Sequence, residues 1–118
     1  MARLQDGTVV AWGNNTWGQL GDGSQVSRSY PAPVQGLTNV VAISAAISKA
    51  MALLGDGTVR MWGSNSSGAL GNGVESQALT PITAAQRAGI RKLVTGSRTN
   101  FLVLEDGTLL GWGAGLAG

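Results

Sequence analysis

Few residues in this sequence are of a type that does chemistry, and the missing types decide much. The chain has no Cys and no His. A cysteine nucleophile, a disulfide, a His-based triad and the common zinc constellations are therefore excluded. Six carboxylates are present: Asp6, Asp22, Asp56, Glu75, Glu105 and Asp106. A facing pair of carboxylates is the minimum for glycosidase-type acid–base work. Three of the six, however, sit in one recurring tripeptide, Asp-Gly-Thr at 6–8, 56–58 and 106–108. Turn chemistry accounts for both its Asp and its Gly. Gly21-Asp22-Gly23 looks like part of a phosphate cradle, but no Gly-x4-Gly-Lys-Ser/Thr pattern accompanies it, and no strand–loop–helix unit is expected there. No catalytic residue, cofactor or metal is expected, and the chain is read as a non-enzyme.

Charge and hydropathy narrow the class further. Eight basic residues against six acidic ones give a net charge of +2. Apart from Arg91 and Lys92 the basic residues are scattered. Nucleic-acid binding needs a clustered basic face, so no nucleic-acid partner is expected. No apolar run reaches the ~18 residues of a membrane span, and no signal-peptide pattern opens the chain. A soluble protein without a membrane partner is expected, in a compartment the sequence does not specify. The 118 residues include 19 Gly, and 43% are hydrophobic against 12% charged. Such a chain is too apolar and too poor in charge to be disordered.

The elements that hold these residues follow from an internal repeat. Asp-Gly-Thr recurs every 50 residues, and so does Trp-Gly, at 12–13, 62–63 and 112–113. The register extends to Leu4, Leu54 and Leu104, to Asn15 and Asn65, to Gly18 and Gly68, and to Pro31 and Pro81. The chain divides into repeat 1 (1–50), repeat 2 (51–100) and a partial repeat 3 (101–118). Asp-Gly between two apolar stretches signals a two-residue hairpin with a type I′ turn. Hairpins are expected at 1–5 with 8–13, 51–55 with 58–63, and 101–105 with 108–113. Their arms are apolar on both faces, which requires a packed sheet on each side. The Pro-bearing pieces 30–35 and 80–84 suit outer strands, because Pro is tolerated only at a sheet edge. Residues 40–43 and 90–94 supply another strand each. The Ala-rich stretch 82–89 has local helical character, but its gapless alignment with repeat 1 argues for an extended path. Four strands per period of about 50 residues define an all-β fold of β-propeller blades, with little or no helix.

The run Trp12-Gly13-Asn14-Asn15-Thr16-Trp17-Gly18-Gln19-Leu20-Gly21, and its second copy from Trp62 to Gly71, fit the pattern WGxNxxGxLG. With the preceding DGTV, the chain resembles the regulator of chromosome condensation repeat family. That resemblance implies blades of a seven-bladed propeller. It also implies the range of roles in that family, from a β-lactamase inhibitor protein to guanine-nucleotide exchange. Seven blades need about 350 residues, so 118 residues cannot close a ring alone. The expected partners are proteins: other copies of the chain in a homo-oligomer, or the remaining blades of a longer propeller. Val9 and Val59 are expected on the faces that join such blades.

Asp6, Gly7, Trp12, Gly13 and their equivalents Asp56, Gly57, Trp62, Gly63, Asp106, Gly107, Trp112 and Gly113 are read as the structural repeat, with the three Trp as packing residues. Asn15 and Asn65 are expected to bond their own loops. Residues that break the repeat are the candidate protein contacts. Trp17 stands opposite Ser67, and Tyr30 opposite Thr80; exposed aromatics of this kind anchor interfaces. Arg28, Lys49, Arg98 and Asn100 fall at variable positions read as loops. Three functions are compatible with this pattern: a protein-interaction scaffold, a self-assembling propeller fragment, and part of a guanine-nucleotide exchange factor.

Overall fold

The computed structural model describes residues 1–64, 78–96 and 99–113. These form ten strands and, among the described residues, no helix. Strands β1 (Ala2–Arg3), β2 (Val9–Gly13) and β3 (Arg28–Pro33) make a first antiparallel sheet in that order. Strands β4 (Val40–Ala45), β5 (Lys49–Leu54), β6 (Thr58–Gly63) and β7 (Ala78–Gln86) make a complete four-stranded sheet. Strands β8 (Ile90–Thr95), β9 (Thr99–Leu104) and β10 (Leu109–Gly113) make the third. Each sheet is one propeller blade. Among the described residues, the first has no inner strand and the third no outer one. The Ala-rich stretch belongs to β7, extended through Gln86.

The hairpin turns lie where Asp-Gly places them, but they are not of type I′. In each, the Gly amide donates to the Leu carbonyl three residues back: Gly7 to Leu4, Gly57 to Leu54 and Gly107 to Leu104, each at 3.0 Å. Only the Gly has positive φ, at 84, 88 and 87°. This is a type I turn followed by a left-handed Gly, the three-residue hairpin loop. The reason lies one residue on. Asp6, Asp56 and Asp106 each accept a hydrogen bond from the amide of the following Thr at 2.8–3.0 Å. That side-chain turn fixes Asp in an ordinary conformation. The same bonds, from the Thr hydroxyl first and the Thr amide second, hold all three carboxyls below their usual range.

The strands are apolar on both faces because the middle blade is covered on both. Ala50, Ala52 and Trp62 face the first blade and pack with Val9, Ala11 and Leu20. Met51, Leu53, Val59 and Met61 face the third and pack with Leu93 and Leu102. Val9 and Val59 are each 0% exposed; they lie in the cores between this chain's own blades, which corrects the expectation that they sit on faces joining further blades. Their equivalent Leu109 is 59% exposed, with no further blade over it among the described residues.

The first turn also ties its blade to the next: the Gly7 carbonyl accepts from the Val40 amide at 2.9 Å, while the Gly57 carbonyl accepts at 2.9 Å from the amide of Arg87, just past β7 of its own blade. A Cβ on Gly57 would lie 2.6 Å from the Arg87 carbonyl oxygen, whereas one on Gly107 would meet nothing within 4 Å. Gly107→Ala should therefore cost only the left-handed backbone penalty, about 1–2 kcal/mol. Gly57→Ala should cost at least about 1 kcal/mol more, for the clash. Urea midpoints of the two variants measure the difference.

Candidate functional site

The loop joining β2 to β3 is the most elaborate part of the described surface, and one buried residue organises it. Asn15 is 0% exposed. Its Nδ2 donates to the carbonyls of Ser24 (2.9 Å) and Val26 (3.1 Å) and to Asp22 Oδ1 (3.2 Å). Its Oδ1 accepts from the Leu20 amide at 2.9 Å. Asn15 thus bonds its own loop, as expected; Asn65 lies outside the described residues. Asp22 Oδ1 also takes the amide and hydroxyl of Ser24, and Oδ2 pairs with Arg28. Burial pushes the Asp22 carboxyl up. The Ser24 and Asn15 hydrogen bonds and the Arg28 charge outweigh it and leave the carboxyl below its usual range.

Gln19 ties this loop to the next blade. Its Oε1 accepts from the Trp17 amide at 2.8 Å, and its Nε2 donates to the Ile47 carbonyl at 3.2 Å. Its own carbonyl accepts from Trp62 Nε1 at 2.9 Å. Gly21 lies flat against the same indole: a Cβ there would be 2.9 Å from Trp62 Nε1. The β2–β3 loop and the β4–β5 turn therefore share one face of the stack. On that face Trp17 is 47% exposed and Ile47 is 91% exposed. Every residue of 11–20 and 40–48, the segments that carry this pair, is uncharged.

The sequence-derived contact residues separate. Trp17 is on the loop face, and Tyr30, 64% exposed, is on the outer edge strand β3. Arg28 is not a loop residue. It begins β3, and its guanidinium pairs with Asp22 and donates to the carbonyls of Ala11 and Ala32. Lys49 is not on a loop either: it begins β5 and is 1% exposed. Burial lowers its ammonium pKa. Asn100 lies within β9 and is fully buried. Arg28 is thus engaged within its own blade, and Lys49 and Asn100 are buried in strands. Arg98 lies outside the described residues. Of the repeat Trp residues, Trp62 is fully buried and Trp12 is 43% exposed, while Trp112 packs against the core between the second and third blades. Sequence reasoning missed Ile47. It stands opposite Ser97 in the repeat, the same departure that singled out Trp17.

The carboxylates have local roles. Asp6, Asp56 and Asp106 close their turns and Asp22 pairs with Arg28. A cavity of about 360 Å³ at the opposite end of the strands is lined by 53–57, 87–90 and Val41. The Asp56 carboxylate beside it is already engaged by Thr58. Among the described residues, no helix is long and apolar enough to cross a membrane.

Stacked antiparallel blades, locked by an indole of one in the glycine loop of its neighbour, define a segment of β-propeller. The regulator of chromosome condensation (RCC1) repeat model matches residues 6–53. Similar solved structures include human WBSCR16, with a TM-score of 0.83 and 21% identity over 94% of this chain and 29% of that one. Yeast RCC1 (Prp20) bound to Kap60 gives 0.76 and 28%, over 91% of this chain and 26% of that one. Prp20p from Saccharomyces cerevisiae gives 0.75 and 21%, over 97% and 31%. The chain spans less than a third of the length of each.

Proposed function

We propose that this chain is a non-catalytic propeller segment whose loop face docks a partner protein. The observation that carries this reading is the Trp17–Ile47 pair, two large exposed apolar side chains on one face, with their backbones joined through Gln19. A surface held in place this way loses little conformational freedom on binding. The uncharged segments 11–20 and 40–48 that carry the pair favour a partner surface that is also apolar and uncharged. The similar structures support a binding role: yeast RCC1 (Prp20) was crystallised with Kap60, and Prp20p was studied for its binding to Gsp1p and histones. Trp17→Ala should weaken partner capture from an extract of the source organism by more than about 1 kcal/mol, roughly fivefold, with the melting temperature unchanged. Lost fold stability with undiminished capture per folded molecule would assign Trp17 to the core and end this reading.

A second reading has its own observation. Equivalent residues are buried inside the stack and exposed at its ends: Val9 and Val59 at 0% against Leu109 at 59%, and Trp62 at 0% against Trp12 at 43%. The ends therefore join further blades, either of other copies or of a longer propeller. Guanine-nucleotide exchange ranks third, because likeness of fold alone supports it.

A further inference from the structure

The two seams between blades close differently at the end opposite the loop face. At the first, the connection 34–39 follows Pro33 and sends Leu37 back into the seam, where it is 3% exposed and shares a core with Val9 and Val40. The Val40 amide closes that seam on the Gly7 carbonyl. At the second, β7 runs to Gln86, three residues past the counterpart of Pro33, and the Gly57 carbonyl is taken by the Arg87 amide of the same blade. Residues 87–89 alone then reach β8. The counterpart of Leu37 is Arg87, and it is exposed. Beside it lies the cavity of about 360 Å³, with Val41, Leu53, Leu54 and Ile90 as its aliphatic wall. A second cavity, of about 270 Å³, shares 87–89 with the first and is lined further by Leu104, Glu105 and Asp106. A Cβ on Gly89 would lie 3.9 Å from a Glu105 carboxylate oxygen, so that carboxylate stands beside the shared segment. The side chains lining the two cavities carry the carboxylates of Asp56, Glu105 and Asp106 against the one guanidinium of Arg87.

The geometry points to a docking site for a segment of a partner protein that carries an aliphatic residue, leucine above all, next to a basic one. The aliphatic side chain enters the first cavity and does there what Leu37 does at the first seam. The basic side chain meets Glu105 and Asp106 in the second. Apolar burial supplies the attraction, and the excess of carboxylates selects a basic segment over an acidic one. This inference is independent of the loop-face reading, since neither cavity is lined by Trp17 or Ile47.

The test is an NMR titration of the whole, isotope-labelled chain with the capped peptide acetyl-Gly-Leu-Arg-Gly-amide, followed on the amides of Gly57, Gly89 and Ile90. Those signals should move saturably at about millimolar peptide. Replacing the peptide's Leu by Ala should weaken binding by about tenfold or more, and replacing its Arg by Glu by about fivefold. Glu105→Lys should reverse the preference between the Arg and Glu peptides, and Trp17→Ala should leave both affinities unchanged, which separates this site from the loop face. Signals that stay in place, an Ala peptide that binds as well as the Leu peptide, a charge preference that Glu105→Lys leaves intact, or movement confined to the loop face each overturn the inference. Acetyl-leucine-amide binding as tightly as the peptide also overturns it, because the site then takes a free aliphatic molecule and not a protein segment.

Discussion

Trp62→Ala should destabilise the chain by about 3–5 kcal/mol, the usual cost of emptying a buried aromatic site. The indole fills the gap between the first two blades and donates its N–H to the Gln19 carbonyl. Its loss opens a cavity, frees that carbonyl, and removes the surface on which Gly21 rests. Trp12→Ala, at the same repeat position, should cost about 1 kcal/mol or less, because its indole is 43% exposed. The balance reverses for association. A further blade seated on the first one would cover Trp12 as the first blade's loop covers Trp62. Trp12→Ala should then weaken self-association or joining to further blades, measured by sedimentation across a concentration series. Equal stability losses in the two variants would show that Trp12 needs no neighbour. A dilute, cooperative 12 kDa monomer that does not associate at any concentration would refute the joining of ends.

Asn15→Ala should cost about 2–4 kcal/mol, for a different reason. The substitution leaves little void, but it strips partners from the Leu20 amide and from the Ser24 and Val26 carbonyls. Each buried polar group left unpaired costs about 1–3 kcal/mol, and part of the loss is recovered where water enters. Asn15→Asp should not rescue stability. Its oxygen could still accept from Leu20, but the other oxygen would face two carbonyls and the Asp22 carboxylate, with no proton to offer them. Chemical denaturation of the three proteins gives the comparison. Hydrogen exchange across 14–27 should show the loop loosening first, and with it the support for Trp17.

The blades were legible in the sequence because a gapless 50-residue period carries its own alignment. Four strands, the Pro on the outer one and the Asp-Gly hairpins all follow from it. The turn type did not, because Asp-Gly serves two hairpin geometries. The choice between them lies in the Thr amide that the Asp side chain takes, a contact two residues away. Lys49 and Asn100 lie in strands and not on loops, because variation between repeats marks any unequal environment, buried as well as in solvent. Trp12 and Trp62 are the same residue in the same motif. Their different burial is a property of what stands beside each blade, and no local pattern encodes it. Ile47 was recoverable by the test applied to Trp17, but its hairpin turn is one where aliphatic residues attract less notice than an indole.

The sheets and the repeat are out of phase by about ten residues, and this offset decides where the polypeptide can be divided or extended. A break between residues 50 and 51, where one copy of the sequence ends and the next begins, falls inside β5 and splits a buried strand. A break in 34–39 or 87–89 passes between strands and leaves β4 to β7 intact as a finished sheet. Fusion or shuffling at those connections would exchange whole sheets, each keeping its internal ladder. Chains lengthened there in steps of fifty would gain one sheet per step and present the same two end surfaces at every length.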